Sequence, residues 1–118
     1  LGQTCFRLER YDESARYLRE AADVRESSHQ MAPLGATLGT LGSVLVALGN
    51  RDSAEICFAR ALELTSSAGD SARTLVTLVN YGAMLMERGE VTRPVAIFQR
   101  ARAIELDDDD YVEERAAA

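Results

Sequence analysis

The sequence predicts an all-α protein, a solenoid of helix-turn-helix repeats, on three observations. Matching residues recur at intervals of 40 positions, each repeat carries two apolar stripes at helical spacing, and short polar corners led by glycine separate the stripes. Gly2, Gly42 and Gly82 mark the period; Leu1, Leu41 and Tyr81 precede them, and Cys5, Leu45 and Leu85 follow three residues later. Leu18, Phe58 and Phe98 keep the same interval, as do Ala21, Ala61 and Ala101, and Val24, Leu64 and Ile104. Self-similarity at a fixed period of roughly 20–50 residues is the mark of stacked repeats.

The first repeat is partial. Leu1-Gly2 and Cys5 fall partway along a first helix, and Ser14, Leu18 and Ala21 belong to the second. In the middle repeat Leu38, Leu41, Leu45 and Leu48 step by three or four and form one face of a helix. Gly49-Asn50 ends that helix, because both residues tolerate the left-handed backbone of a C-cap. Asp52 with Glu55 outlines a capping box with Asp in place of Ser or Thr, and marks a new start. Ala54, Cys57, Phe58, Ala61, Leu62 and Leu64 form the second stripe.

The third repeat repeats the plan with a corner at Gly89-Glu90, Thr92 as the expected N-cap, and Pro94 in a first turn where its missing N–H is not needed. Tyr111 to Ala118 read as the start of a fourth repeat, so the pattern reads as a piece of a longer array. The expected organisation is one domain over 1–118: a partial repeat over 1–32, repeats over 33–69 and 70–106, and the start of a further helix over 107–118. A pair of short helices cannot hide its apolar faces alone, whereas stacked pairs cover one another. Glycine and alanine on the stripes let helix backbones approach closely where they cross.

These residues resemble the tetratricopeptide repeat, whose pattern is a bulky residue, then L-G-x-x-Y, then A-x-x-x-F and a further alanine. The middle repeat reads Leu38, Leu41-Gly42, Leu45, Ala54, Phe58, Ala61; the third reads Leu78, Tyr81-Gly82, Leu85, Pro94, Phe98, Ala101. The likeness covers residues 1–106. The period departs from the usual one of about 34 residues, as in the longer variants found in kinesin light chains and bacterial signalling regulators, and Pro94 stands where a small alanine is usual. The resemblance implies a right-handed α-solenoid that binds an extended peptide or a helix in a concave groove lined by each repeat's first helix. The residues opposite the leucine stripe are then expected to line it: Gln3 and Arg7 in the first repeat, Ala36, Thr40, Ser43 and Ala47 in the second, and Val76, Asn80, Ala83 and Glu87 in the third. That groove is small and nearly neutral, without the clustered lysines and arginines by which chaperone-tail-binding relatives hold a terminal carboxylate. Asn80 stands out, because an amide donates to and accepts from a peptide backbone at once.

Charge and composition narrow the classes further. The net charge is −6, but Asp107 to Asp110 supply four of the negatives, so the acidity is mostly local and is a weak argument against nucleic acid, for which a basic stripe is expected. The uncharged run over residues 34–49 contains Gly35-x-x-x-Gly39, a membrane-dimer pattern, but it is shorter than the ~20 apolar residues of a membrane span and the repeat accounts for it. Cys5 and Cys57 read as free thiols on apolar stripes, His29 as a corner or surface residue, and Tyr11 and Tyr17 as packing residues. The acidic run lacks the spaced ligands and glycine of a calcium loop. With no nucleophile–base set, no metal set and no cofactor motif, the expectation is a cytoplasmic, non-enzymatic scaffold for a protein or peptide ligand. Two other readings stand beside it: a regulatory sensor segment of a bacterial regulator or signalling ATPase, and an oligomerisation module that self-associates through its terminal helix faces.

Overall fold

The structure is a computed structural model that describes the backbone of residues 2–117 and the side chains of residues 7–107. Among the described residues it contains five α-helices and no strand: α1 (Gly2–Ser27), α2 (Met31–Ala47), α3 (Arg51–Ser67), α4 (Ser71–Glu87) and α5 (Thr92–Ala117). The chain is all-α, as its periodicity requires. It divides into two compact units, Leu1–Asp70 and Ser71–Ala118.

In the first unit α1 packs on α2 and α2 on α3. The α2 stripe is buried through Leu34, Leu38, Leu41 and Leu45, and α3 answers with Ala54, Phe58, Ala61 and Thr65. Phe58 is 1% exposed, a burial that stabilises by about 1.5–3 kcal/mol. Its ring fits because residue 42 has no side chain: a Cβ there would stand 2.8 and 2.9 Å from two ring carbons. Gly35 makes the same allowance one level along, where a Cβ would meet Leu64 and Thr65 at 3.1 Å. The second unit repeats the device. Leu78, Tyr81, Met84 and Leu85 of α4 are buried, α4 packs on α5, and a Cβ on Gly82 would lie 2.7 Å from the Phe98 ring.

Three buried threonine hydroxyls are satisfied within their own helices. Thr65 donates to the Ala61 carbonyl at 2.9 Å, Thr37 to Pro33 at 3.0 Å and Thr77 to Arg73 at 2.8 Å, which removes the cost of an unpaired polar group in the core.

The corners are more regular than their residues suggest. Gly49, Gly69 and Gly89 have φ of +80°, +72° and +85°, and His29 has φ +57°. At each corner the left-handed residue bonds three positions back and its successor five back. Gly49 N–H reaches Val46 O and Asn50 N–H reaches Leu45 O; the pairs at 69–70, 89–90 and 29–30 repeat the pattern. This is the Schellman motif, placed four times at a spacing of 20 residues. His29 fills with a side-chain-bearing residue the place where glycine sits at the other three.

Several local expectations are corrected. α1 runs unbroken from Gly2 to Ser27, so the first repeat is one straight helix rather than the end of one and the start of another. The 20-residue spacing would place its corner at Glu9, where a left-handed backbone costs about 1–2 kcal/mol for a residue with a Cβ. α5 likewise continues to Ala117 instead of yielding to a new helix near 107; no glycine or proline follows Pro94 to stop it. The capping box is not the start of α3. Asn50 holds the cap position without a side-chain bond to the helix, and Asp52 sits inside the first turn, where its charge favours the positive end of the helix. Thr92 is the first residue of α5 rather than its cap, since Val95 N–H already bonds Val91 O. Pro94 is buried in that first turn, as its missing N–H permits. Tyr17 is not a packing residue: it is 74% exposed.

Candidate functional site

The faces opposite the two leucine stripes are the starting point, and each belongs to its own unit. On α2, Thr40, Ser43 and Ala47 are exposed and Ala36 is half-buried, in steps of three and four along one side of the helix. The two hydroxyls fold back on their own backbone: Thr40 donates to Ala36 O at 3.1 Å and Ser43 to Gly39 O at 3.4 Å. Turned inward, they leave a side of methyl and methylene groups with no formal charge between His29 and Arg51.

On α4 the corresponding side carries Val76, Asn80, Ala83 and Glu87, all exposed. Val76 and Val79 are 59% and 45% exposed, so the Asn80 amide stands among uncovered apolar side chains. Arg7 is exposed but lies on the straight α1, so it does not sit on a separate first helix as the repeat pattern implied. Gln3 lies outside the described side chains.

The structure adds residues that the groove expectation left out. A cleft of about 520 Å³ opens between α1 and α2, lined by Glu13, Ser14, Tyr17 and Leu18 on one side and Thr40 and Val44 on the other. A second, of about 340 Å³, lies along the end of α1, lined by Tyr17, Glu20, Ala21, Val24, Arg25 and Gln30. Thr40 is the expected groove residue that the first cleft includes. Tyr17 lines both, and register could have found it. It stands at the positions of Cys57 and Ile97, beside Phe58 and Phe98, and that part of α3 and α5 is covered by the preceding helix.

Electrostatics around these surfaces are mild. Arg60 of α3 donates to the Glu26 carboxylate of α1 at 2.5 Å, and this hydrogen bond, with the guanidinium charge, holds Glu26 below its ordinary carboxylate value. Burial pushes the free thiol of half-buried Cys57 above its ordinary value, against the opposing charge of Arg19. A thiol so placed is poorly ionised and a weak nucleophile. Among the described residues no group of histidine, cysteine and carboxylate side chains could hold a metal ion, and no helix is long and apolar enough to cross a membrane. The surfaces suit contact with another chain through shape and apolar area.

Comparison with known proteins agrees with this geometry. The sequence model of the tetratricopeptide repeat matches residues 1–67, which take in α1, α2 and α3. No curated protein and no solved structure matches significantly. Tetratricopeptide repeats generally mediate contacts between proteins, and the family is typically a non-enzymatic scaffold. With more than half of its length matched, and with glycine–phenylalanine crossings built alike in both units, the chain belongs to the tetratricopeptide repeat family.

Proposed function

We propose that the chain is a protein- or peptide-binding module that catalyses no reaction, and that it holds an extended segment against the outward side of a first-helix element, α4 of the second unit. The observation that carries this reading is the surface of α4, where exposed Val76 and Val79 flank Asn80. Two valines left in water are apolar area whose burial by a partner is worth about 25 cal/mol per Å². An asparagine amide among them can both donate to and accept from a passing backbone. Such a surface binds main chain with little demand on side-chain identity, while Glu87, about two helical turns beyond Asn80, gives the ligand a polarity. In the first unit, taken by itself, the outward side of α2 has its hydroxyls turned inward and offers a partner close approach rather than hydrogen bonds.

The test is a peptide library screened against residues 1–118 by fluorescence polarisation, followed by variants against the tightest binder. Asn80→Ala is expected to weaken binding about tenfold, the equivalent of about 1.4 kcal/mol, and Val76→Arg to weaken it further. Binding that survives both substitutions unchanged places the ligand elsewhere and removes the assignment.

A further inference from the structure

The outward side of α4 carries its charges in an order that the helix itself does not favour. Arg73, Asn80 and Glu87 are all exposed and follow one another at intervals of seven residues. They stand nearly in line along the helix, about 21 Å from first to last at 1.5 Å per residue. The buried Thr74, Leu78, Tyr81 and Leu85 lie on its other side. Arg73 is the third residue of α4 and Glu87 the last, and the helix has no acidic residue in its first turn and no basic one in its last. Both charges therefore oppose the helix dipole, which favours carboxylates at the N-terminus and cations at the C-terminus. By contrast, α3 has Asp52 in its first turn and α1 has Arg25 in its last. Departures from a local rule of stability gather at functional surfaces. The same three positions 40 residues earlier, Pro33, Thr40 and Ala47, are exposed on α2 as well, although α1 and α3 both pack against that helix. The line thus stays open on a first helix covered by two others, and of the two first helices only α4 charges it.

We propose, resting on the reading of α4 as the binding surface, that its ligand is an extended segment of a partner protein with an acidic and a basic residue six positions apart, the acidic one at Arg73 and the basic one at Glu87. An extended chain advances about 3.4 Å per residue, so six positions span about 20 Å, the length of the line. Successive side chains of such a chain point to opposite sides. An even interval therefore turns both charged residues toward the helix, together with the second and fourth residues between them. Those two come level with Val76, Val79 and Ala83, all exposed, and are expected to be apolar. Asn80 lies halfway, level with the main chain of the central residue, where its amide can both donate and accept. The ligand's charges also suit the helix ends: its carboxylate meets the positive end of α4 and its cation the negative end. An amide serves a backbone running in either direction, so α4 reads the spacing and the signs of the charges.

Fluorescence polarisation of residues 1–118 with labelled short peptides tests the assignment. The reference peptide has aspartate and arginine six positions apart, valine at the second and fourth positions between them and serine elsewhere. Exposed charge pairs are individually weak, so it is expected to bind about threefold more tightly than peptides with glutamine at either charged position. A peptide whose charged residues are five positions apart should lose as much, because one of the two then points away. Arg73→Gln should weaken the reference peptide about threefold and Arg73→Glu about tenfold. Arg73→Glu should also come to prefer a peptide with arginine at both positions, and Glu87→Arg one with aspartate at both, a switch that a merely structural role would not produce. Circular dichroism at 222 nm checks that every variant remains helical. A reference peptide that does not bind, equal binding of charged and neutral peptides, or variants without the switch overturn the proposal. Binding that is weakened by Asn80→Ala yet ignores the peptide's charges overturns this proposal alone and leaves the α4 surface standing. Binding indifferent to Asn80→Ala, Val76→Arg and Arg73→Glu removes both.

Discussion

Gly42→Ala tests the crossing on which the α2–α3 hairpin depends. Two effects oppose each other. Replacing glycine by alanine inside a helix is worth about 1 kcal/mol in its favour through propensity. Against this, the new methyl would stand 2.8 and 2.9 Å from Phe58 ring carbons, closer than real contacts allow. The ring has nowhere to retreat, since Phe58 is 1% exposed and Ala54 and Ala61, on its own helix, are fully buried. Overpacking of this kind costs about 1–3 kcal/mol, so the net expectation is a loss of about 1 kcal/mol, or about 4 °C in Tm for a domain near this size. Thermal unfolding followed at 222 nm reads the shift, and a cycle with Phe58→Leu isolates the clash: the two substitutions should be less damaging together than their sum, by about 1 kcal/mol. Gly35→Ala, whose nearest contacts are 3.1 Å, serves as the milder comparison and should lie near neutral. If Gly42→Ala instead raised Tm, propensity alone would be acting and the close approach would play no part in stability.

Three further outcomes follow from the corners and the titrating groups. His29→Gly removes the Cβ penalty at the left-handed corner position and should raise stability by about 0.5–1 kcal/mol, read as a higher Tm. Glu26 is held below its ordinary value by Arg60, so the pair's contribution is present above that ordinary value and is lost as pH falls through the lowered one. Carboxyl carbon NMR should show Glu26 titrating below a free glutamate, and Arg60→Gln should return it to the normal range. Cys57 has a raised thiol value, so in a Cys5→Ser background its reaction with a disulfide reagent should lag behind free cysteine at neutral pH and rise only in the alkaline range; Arg19→Gln should slow it further.

The fold was legible wherever one residue type carries one physical demand. Gly42 and Gly82 share a register with Phe58 and Phe98, and that coincidence states the crossing before any coordinates do. The corners at 49 and 89 were legible because glycine announces them. That at 69 was not singled out, and at 29 the corner stood only beside a surface reading, because a histidine holds a backbone that glycine usually takes, a conformation that the hydrogen-bond pair at 29–30 reveals. Asp52 misled because a capping-box pattern shifted by two residues looks the same in sequence, and only the backbone shows Asn50 in the cap position. The exposed sides of α2 and α4 followed from the leucine stripes by subtraction. The α1–α2 cleft did not, because it depends on how far apart α1 and α2 hold Tyr17 and Leu18 from Thr40 and Val44, which no spacing in the sequence states.

The short reach of the hairpin contacts has a consequence for how the protein comes into being. Each glycine–phenylalanine contact joins residues 16 positions apart. Loops of about ten residues close within about 10–100 ns, and helical proteins rich in local contacts fold in microseconds to milliseconds. A ribosome adding about 5–20 residues each second needs several seconds to deliver a 40-residue repeat. Every hairpin therefore has ample time to make its own glycine–phenylalanine contact before the next has emerged, and the faces it leaves uncovered wait only for the neighbouring pair to stack on them.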